Sequence, residues 1–295
     1  MEGIMNKLTP RIAIKKLALI LIFGAVMSAC ANASGNRWKE EVLLHDGSKM
    51  IVERSQSYGG RSEPGQSGPI KEHSLRFTLP GSNKPIAWTS EYSDDVGRAN
   101  FQLLALHALN GTPYIVSSPN LCLAYNKWGR PNPPYVIFKH EGKQWQRIAL
   151  EALPVEFRTI NVVLSIQKVQ ADELSAGGLT SAQTIADENR RAESPEFRSI
   201  LREPIANAGG EGCGEMVGNG KGRWVGLGWF KQQPSYEACL KYCVRENIGS
   251  DFVRVKTCLE GNNHDSNRRV RIDGRESLSN HASRHQQDAN SRGMD

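Results

Sequence analysis

Six cysteines and seven histidines are the side chains of this 295-residue chain best suited to act as nucleophiles, bases or soft metal ligands near neutral pH. Four of the cysteines, Cys213, Cys239, Cys243 and Cys258, crowd one stretch, with 25, 3 and 14 residues between them. Zinc sites usually carry a Cys-x-x-Cys knuckle, which is missing here, so the four read as disulfide partners. Cys239 and Cys243 fall one turn apart on a helix and point the same way, so each must reach out to Cys213 or Cys258. The pairings 213–239 with 243–258 and 213–243 with 239–258 both stay open. Cys122 lies in the apolar stretch Asn120-Leu121-Cys122-Leu123-Ala124-Tyr125. It reads as a buried free thiol rather than as a catalytic thiolate served by His107 or His140, because nothing electropositive surrounds it. His281 and His285 stand at helical spacing in a polar tail that has no helix to hold them. Ser93-Asp94-Asp95 pairs carboxylates in what reads as a solvated turn. The metalloprotease, nucleophile-elbow, P-loop and dinucleotide signatures are absent. No catalytic residue, metal or cofactor is assigned on this basis.

The most unusual segment is Tyr125-Asn126-Lys127-Trp128-Gly129-Arg130-Pro131-Asn132-Pro133-Pro134-Tyr135. Its prolines stiffen a loop that presents flat rings beside amides and cations. Tyr125, Asn126, Trp128, Arg130 and Asn132 are therefore the candidate ligand-binding residues, for a saccharide or an envelope protein. The plainer alternative is that these rings cover the open end of a sheet.

Elements that must position these groups follow from turn signals and apolar periodicity. Asp46-Gly47, Pro80-Gly81-Ser82-Asn83, Asn110-Gly111 and Glu141-Gly142 each separate two β-prone runs, which predicts four hairpins. The run 101–109 is apolar at nearly every position and reads as a strand buried on both faces. Ile160, Val162, Leu164 and Ile166 alternate and predict a ninth strand over 159–166. Ser181–Arg191 reads as a helix, and Ser194-Pro195 opens a second short one. Arg223–Phe230 reads as a strand, and Pro234-Ser235 starts the helix that carries Cys239 and Cys243. The expected fold is mainly β: an antiparallel hairpin meander (barrel or sandwich), a short helical connector and a small α+β disulfide-stapled module. The boundaries are 30–166 for the β-rich domain, 167–205 for the connector, 206–260 for the Cys-rich module and 261–295 for a disordered tail.

The first 29 residues carry an address. Lys7, Arg11, Lys15 and Lys16 precede the apolar run Leu17–Met27, and small residues follow. This is the build of a signal peptide, and the run is too short to span a bilayer. Met27-Ser28-Ala29-Cys30 resembles a bacterial lipobox, with Met27 where Leu is more usual, and the resemblance implies that Cys30 becomes the lipidated, palmitate-bearing first residue, held by several acyl chains. With Ala31 rather than Asp after it, the start resembles that of outer-membrane lipoproteins, which implies the outer membrane. The alternative is cleavage behind Ala33, which would leave a soluble periplasmic protein.

Formal net charge is +6, from 37 basic and 31 acidic residues, but most of the excess sits in the two ends of the chain. The near-neutral middle excludes an overall basic nucleic-acid binder. The 39% hydrophobic content excludes a multi-span membrane protein and suffices for a core. YNKWGRPNPPY, with VLLHDG upstream and GWFKQQPSYEACLKYC downstream, resembles a group of predicted envelope lipoproteins of Gram-negative bacteria. The resemblance covers 38–258 and implies export and these boundaries; it brings no activity. The expectation is an outer-membrane lipoprotein that faces the periplasm, is anchored by lipid, and acts as a non-enzymatic binding or structural protein. The alternative is an envelope hydrolase.

Overall fold

The computed structural model describes residues 35–60, 68–164, 166–208, 212–249 and 258. The leader with Cys30, and the tail with His264, His281 and His285, lie outside the described residues. Among the described residues no helix is long and apolar enough to cross a membrane.

All four predicted hairpins are present, and they build two sheets. The first has the order β11-β1-β2-β3-β4, from β1 (Gly35–Leu43), β2 (Lys49–Tyr58), β3 (Ile70–Thr78), β4 (Pro85–Thr89) and β11 (Leu179–Thr180). The second has the order β10-β9-β8-β7, from β7 (Phe101–Leu109), β8 (Thr112–Pro119), β9 (Val136–His140) and β10 (Trp145–Ile148). A short hairpin of β5 (Tyr92–Ser93) and β6 (Arg98–Ala99) links them. Asn110 and Gly111 both take positive φ, as a two-residue hairpin turn between twisted strands requires.

Both sheets bury residues in one core. Val42, Val52, Leu75 and Phe77 of the first meet Phe101, Leu106, Ile115 and Val136 of the second. The other face of the second sheet is also covered. Leu104, Ala105, Tyr114 and Ile137 pack there under Leu153, Phe157, Ile160 and Ile200. The register shift between Leu103 and Ala105 turns Leu104 and Ala105 to the same side. That double burial explains why 101–109 is apolar throughout, and β7 is the strand its sequence predicts.

The predicted ninth strand is absent. The described residues of 159–166 keep only an isolated bridge, Thr159 to Ser199. Ile160, Val162 and Ile166 are all buried, but in three different clusters. The alternation therefore marks an extended segment crossing three cores rather than a ladder.

In the connector, α2 (Lys168–Gly177) packs on β1, and β11 then runs parallel to β1. α3 (Ala182–Asn189) is capped by the Ser181 hydroxyl, which accepts from Thr184 N. The second predicted helix reduces to one 3-10 turn at Pro195–Phe197, where Ser194 makes no side-chain cap. In the C-terminal module, β12 (Met216–Gly218) pairs with β13 (Trp224–Gly226). The expected strand over 223–230 ends at Gly226, and α4 (Leu227–Lys231) follows. α5 (Tyr236–Arg245) starts at Ser235, whose hydroxyl accepts from Ala238 N. Its buried face, Cys239 and Cys243, joins Val225, Phe230, Ile248 and Cys258 in a small separate core.

Candidate functional site

Inward positions of the first sheet change from apolar to polar along each strand. Trp38, Glu40 and Val42 alternate inward on β1, as do Val52, Arg54 and Gln56 on β2 and His73, Leu75 and Phe77 on β3. Glu40, Arg54, Gln56 and His73 are all buried. Buried polar groups must find partners, and Glu40, Arg54 and Gln56 find the irregular segment that replaces the ninth strand. Glu40 accepts from Arg54 Nη1 (2.7 Å), from Trp38 Nε1 (2.7 Å) and from Val163 N (3.1 Å). Arg54 Nη1 also donates to the Val163 carbonyl (2.8 Å). From the other side Asn161 accepts from Leu106 N (2.9 Å) and donates to the carbonyls of Leu43 and Leu106. Side chains thus supply the hydrogen bonds a ladder would have made.

Gln56 and His73 stand directly opposite each other across β2 and β3. Gln56 Nε2 donates to the Ile166 carbonyl (3.2 Å) and its Oε1 accepts from the Tyr58 hydroxyl (3.1 Å). A flipped amide would set oxygen against the Ile166 carbonyl, so the orientation is fixed. The second Nε2 hydrogen then goes to His73 Nδ1, at 3.2 Å. His73 Nδ1 is therefore the acceptor and the ring proton sits on Nε2. Burial, with the Arg54 charge second, lowers the His73 pKa to about 3, so the ring stays neutral. Its Nε2 is buried and has no hydrogen-bond partner among the described residues.

A cavity of about 440 Å³ opens beside His73. Its walls come from β2, β3, Arg98 on β6, the start of β7, Asn120–Leu121, and the first turn of α2. Gly60 brings the end of β2 close to the β5–β6 turn beside it: a Cβ there would sit 2.5 Å from the Gly97 carbonyl oxygen. A larger groove of about 720 Å³ runs between α2 and α3. Its buried amide, Asn189, is already engaged with the carbonyls of Ile160 and Val162.

The aromatic–proline segment is built differently from the expected loop. Its first part is helical: α1 spans Leu121–Lys127, and Tyr125 is buried under the guanidinium of Arg130, 4.8 Å from the ring centroid. Trp128 packs on Phe101, with ring centroids 4.6 Å apart, and its Nε1 donates to Asn100 Oδ1. Asn126 Nδ2 donates to the carbonyls of Cys122 and Gly214, and its Oδ1 accepts from Met216 N and Arg130 Nη1. Asn132 exchanges two hydrogen bonds with the backbone of Ile205. Tyr135 donates toward the carbonyls of Glu196 and Ser199 and accepts from Leu201 N. Asn126 and Arg130 thus hold the entry of the C-terminal module, Asn132 holds Ile205 at the end of the connector, and Tyr125 and Trp128 pack inside the β-rich domain.

A disulfide seals that junction. Cys122, in the first turn of α1, bonds to Cys213, with Cα atoms 5.1 Å apart. This corrects two expectations: Cys122 is not a free thiol, and Cys213 pairs outside the Cys-rich cluster. Asn126 holds Gly214 and Met216 against α1 beside this bond, a contact that no local sequence signal announces. The second bond, Cys239–Cys258, is one of the two links expected for Cys258. Cys243 belongs to neither disulfide, and its sulfur lies 3.4 Å from Cys258 Sγ. The sulfurs of Cys239, Cys243 and Cys258 lie within 4.8 Å of one another, but the disulfide uses two of them, so they do not form a three-thiolate metal site.

Remaining candidates for chemistry are engaged structurally. His107 holds the Thr159 carbonyl through Nε2 (2.9 Å) and stacks on Phe157. Burial lowers its pKa to about 4. His140 meets the edge of Trp145. Asp95 pairs with Lys127 at 3.0 Å. Sequence reasoning passed over the His73 cavity, although acidic Glu40 between Trp38 and Val42 already placed a charge at an inward position. Comparison of the chain with protein-family models, with characterised proteins and with solved structures gives no match.

Proposed function

We propose that this chain is a lipid-anchored protein of the outer membrane that faces the periplasm and acts there by binding rather than by catalysis. The Cys122–Cys213 disulfide carries the reading. A bond that fastens one part of a protein to another is durable where thiols are kept oxidised, which fits an exported chain. The leader ending at Met27-Ser28-Ala29-Cys30 supplies the route and the anchor. A binding or structural role is favoured over hydrolysis because the thiol weighed as a nucleophile is consumed in that bond and His107 is spent on a carbonyl. The partners proposed are the membrane, through the lipid, and an envelope protein or saccharide.

Metabolic labelling with a palmitate analogue and fractionation test the reading. The wild type should carry label and sediment with outer membranes. Cys30→Ser should lose the label and appear in the soluble periplasmic fraction. A wild-type protein that is already soluble, unlabelled and begins at Ser34 would show that the alternative site is cut and that the chain has no anchor.

A further inference from the structure

We propose that the His73 cavity is a binding site for a small carboxylate with an apolar body. The assignment rests on the binding-protein reading but needs neither the anchor nor its location. Four observations carry it. First, His73 is only 6% exposed, lines the cavity, and keeps Nε2–H without an acceptor among the described residues. With Nδ1 turned to Gln56, this donor is the one left for a guest. A buried donor without a partner carries a desolvation penalty that an acceptor atom would relieve. Second, the walls are cationic. Arg98, on β6 packed against β3, makes no ion pair among the described residues. Lys168 stands in the first turn of α2, where the positive end of the helix dipole meets the cavity, although it also pairs with Asp172. No Asp or Glu is among the described lining residues.

Third, Ile70, Leu103 and Ile166 give the cavity apolar wall beside the amides of Gln102, Asn120 and Gln167. Leu121 and Val169 are 58% and 69% exposed, and both belong to the rim. Large apolar side chains left in water beside a cavity suit an apolar guest. Fourth, about 440 Å³ falls in the range of small-molecule sites, roughly 300–1,000 Å³. The His73 donor, a guanidinium without an ion pair among the described residues, and apolar side chains at the rim together select a carboxylate headed into the cavity, with its hydrocarbon part toward Leu121 and Val169.

The test uses the mature full-length protein and four probes: hexanoate, benzoate, n-hexanol and inorganic phosphate. Long-range proton–nitrogen NMR should first find His73 as the Nε2–H tautomer. Millimolar hexanoate or benzoate should then shift that Nε2–H signal, and n-hexanol should not. Arg98→Gln, a half-buried change outside the cores, should weaken the acids tenfold or more. His73→Phe keeps the ring volume and should abolish binding. The wild-type signal decides the matter even where that variant folds poorly. An Nδ1–H tautomer, a signal unmoved by both acids, equal binding of n-hexanol, tighter binding of phosphate, or unchanged acid affinity in Arg98→Gln would each overturn the assignment. If the acids fail while the lipidated protein still captures envelope material, this site is wrong and the binding reading stands.

Discussion

Cys122 and Cys213 are joined across 91 residues of chain, and that one bond ties the first turn of α1 to the entry of the C-terminal module. Asn126, one turn later on α1, reaches the same entry through Gly214 and Met216. The disulfide and the amide therefore do related work by different means. The first restricts the unfolded chain, and the second fixes the folded contact.

Removing the disulfide should cost much of the stability of the protein. A loop near 100 residues is worth about 4–5 kcal/mol in the chain-entropy account. Cys122→Ser with Cys213→Ser should lower the unfolding free energy by about that amount in urea titrations. Non-reducing peptide mapping of the wild type should recover 122–213 and 239–258. A loss below about 1 kcal/mol, or Cys213 linked to Cys239 or Cys243, would contradict this connectivity.

Two buried histidines should make the fold acid-sensitive in a defined window. His73 and His107 have folded pKa values of about 3 and about 4, below the ordinary 6.5. Their folded values are depressed, so as pH falls below 6.5 the unfolded state takes up protons that the folded state refuses. Stability should be level in this respect above pH 6.5 and fall below it, at ~1.4 kcal/mol per pH unit for each ring. Between pH 6.5 and 4.5 the carboxylates with lowered pKa, such as Glu41 and Asp172, contribute little to the slope. Urea midpoints across that window should give the combined slope, and His107→Phe should remove about half of it. A flat profile in the wild type would mean that neither ring is held neutral.

The hairpins were legible because their signals are local. Asn110-Gly111 sits between two β-prone runs, and the turn it encodes needs nothing beyond its neighbours. The double burial of β7 was legible too, since Leu103, Leu104 and Leu106 leave no polar face. The 159–166 segment was not, because alternation is the same for a strand and for an extended chain that serves three cores. Nor was the partner of Cys122, since a separation of 91 residues leaves no local trace. The His73 site needed the register. Only once Gln56 is opposite His73 does an ordinary histidine become one with a fixed tautomer and a spare donor.

The aromatic–proline segment is best tested at Asn126, because that residue separates an internal clamp from an external surface. Its amide makes four hydrogen bonds, to Cys122, Gly214, Met216 and Arg130, and three of these groups are backbone. Asn126→Ala removes them all and should cost about 2–4 kcal/mol, since each is worth about 0.5–1.5 kcal/mol. The disulfide beside it keeps the module tethered, so the loss should be local first. Proteolysis should nick the linker around 206–212 sooner than in the wild type. On a non-reducing gel the nicked chain should still run as one species, held by Cys122–Cys213, and reduction should split it in two. Asn126→Asp should fall between, because it keeps an acceptor for Met216 N and Arg130 but sets a charge against two carbonyls. If Asn126→Ala leaves both nicking and stability unchanged, yet weakens capture of an envelope partner, the segment faces outward in function and Asn126 is not an internal clamp.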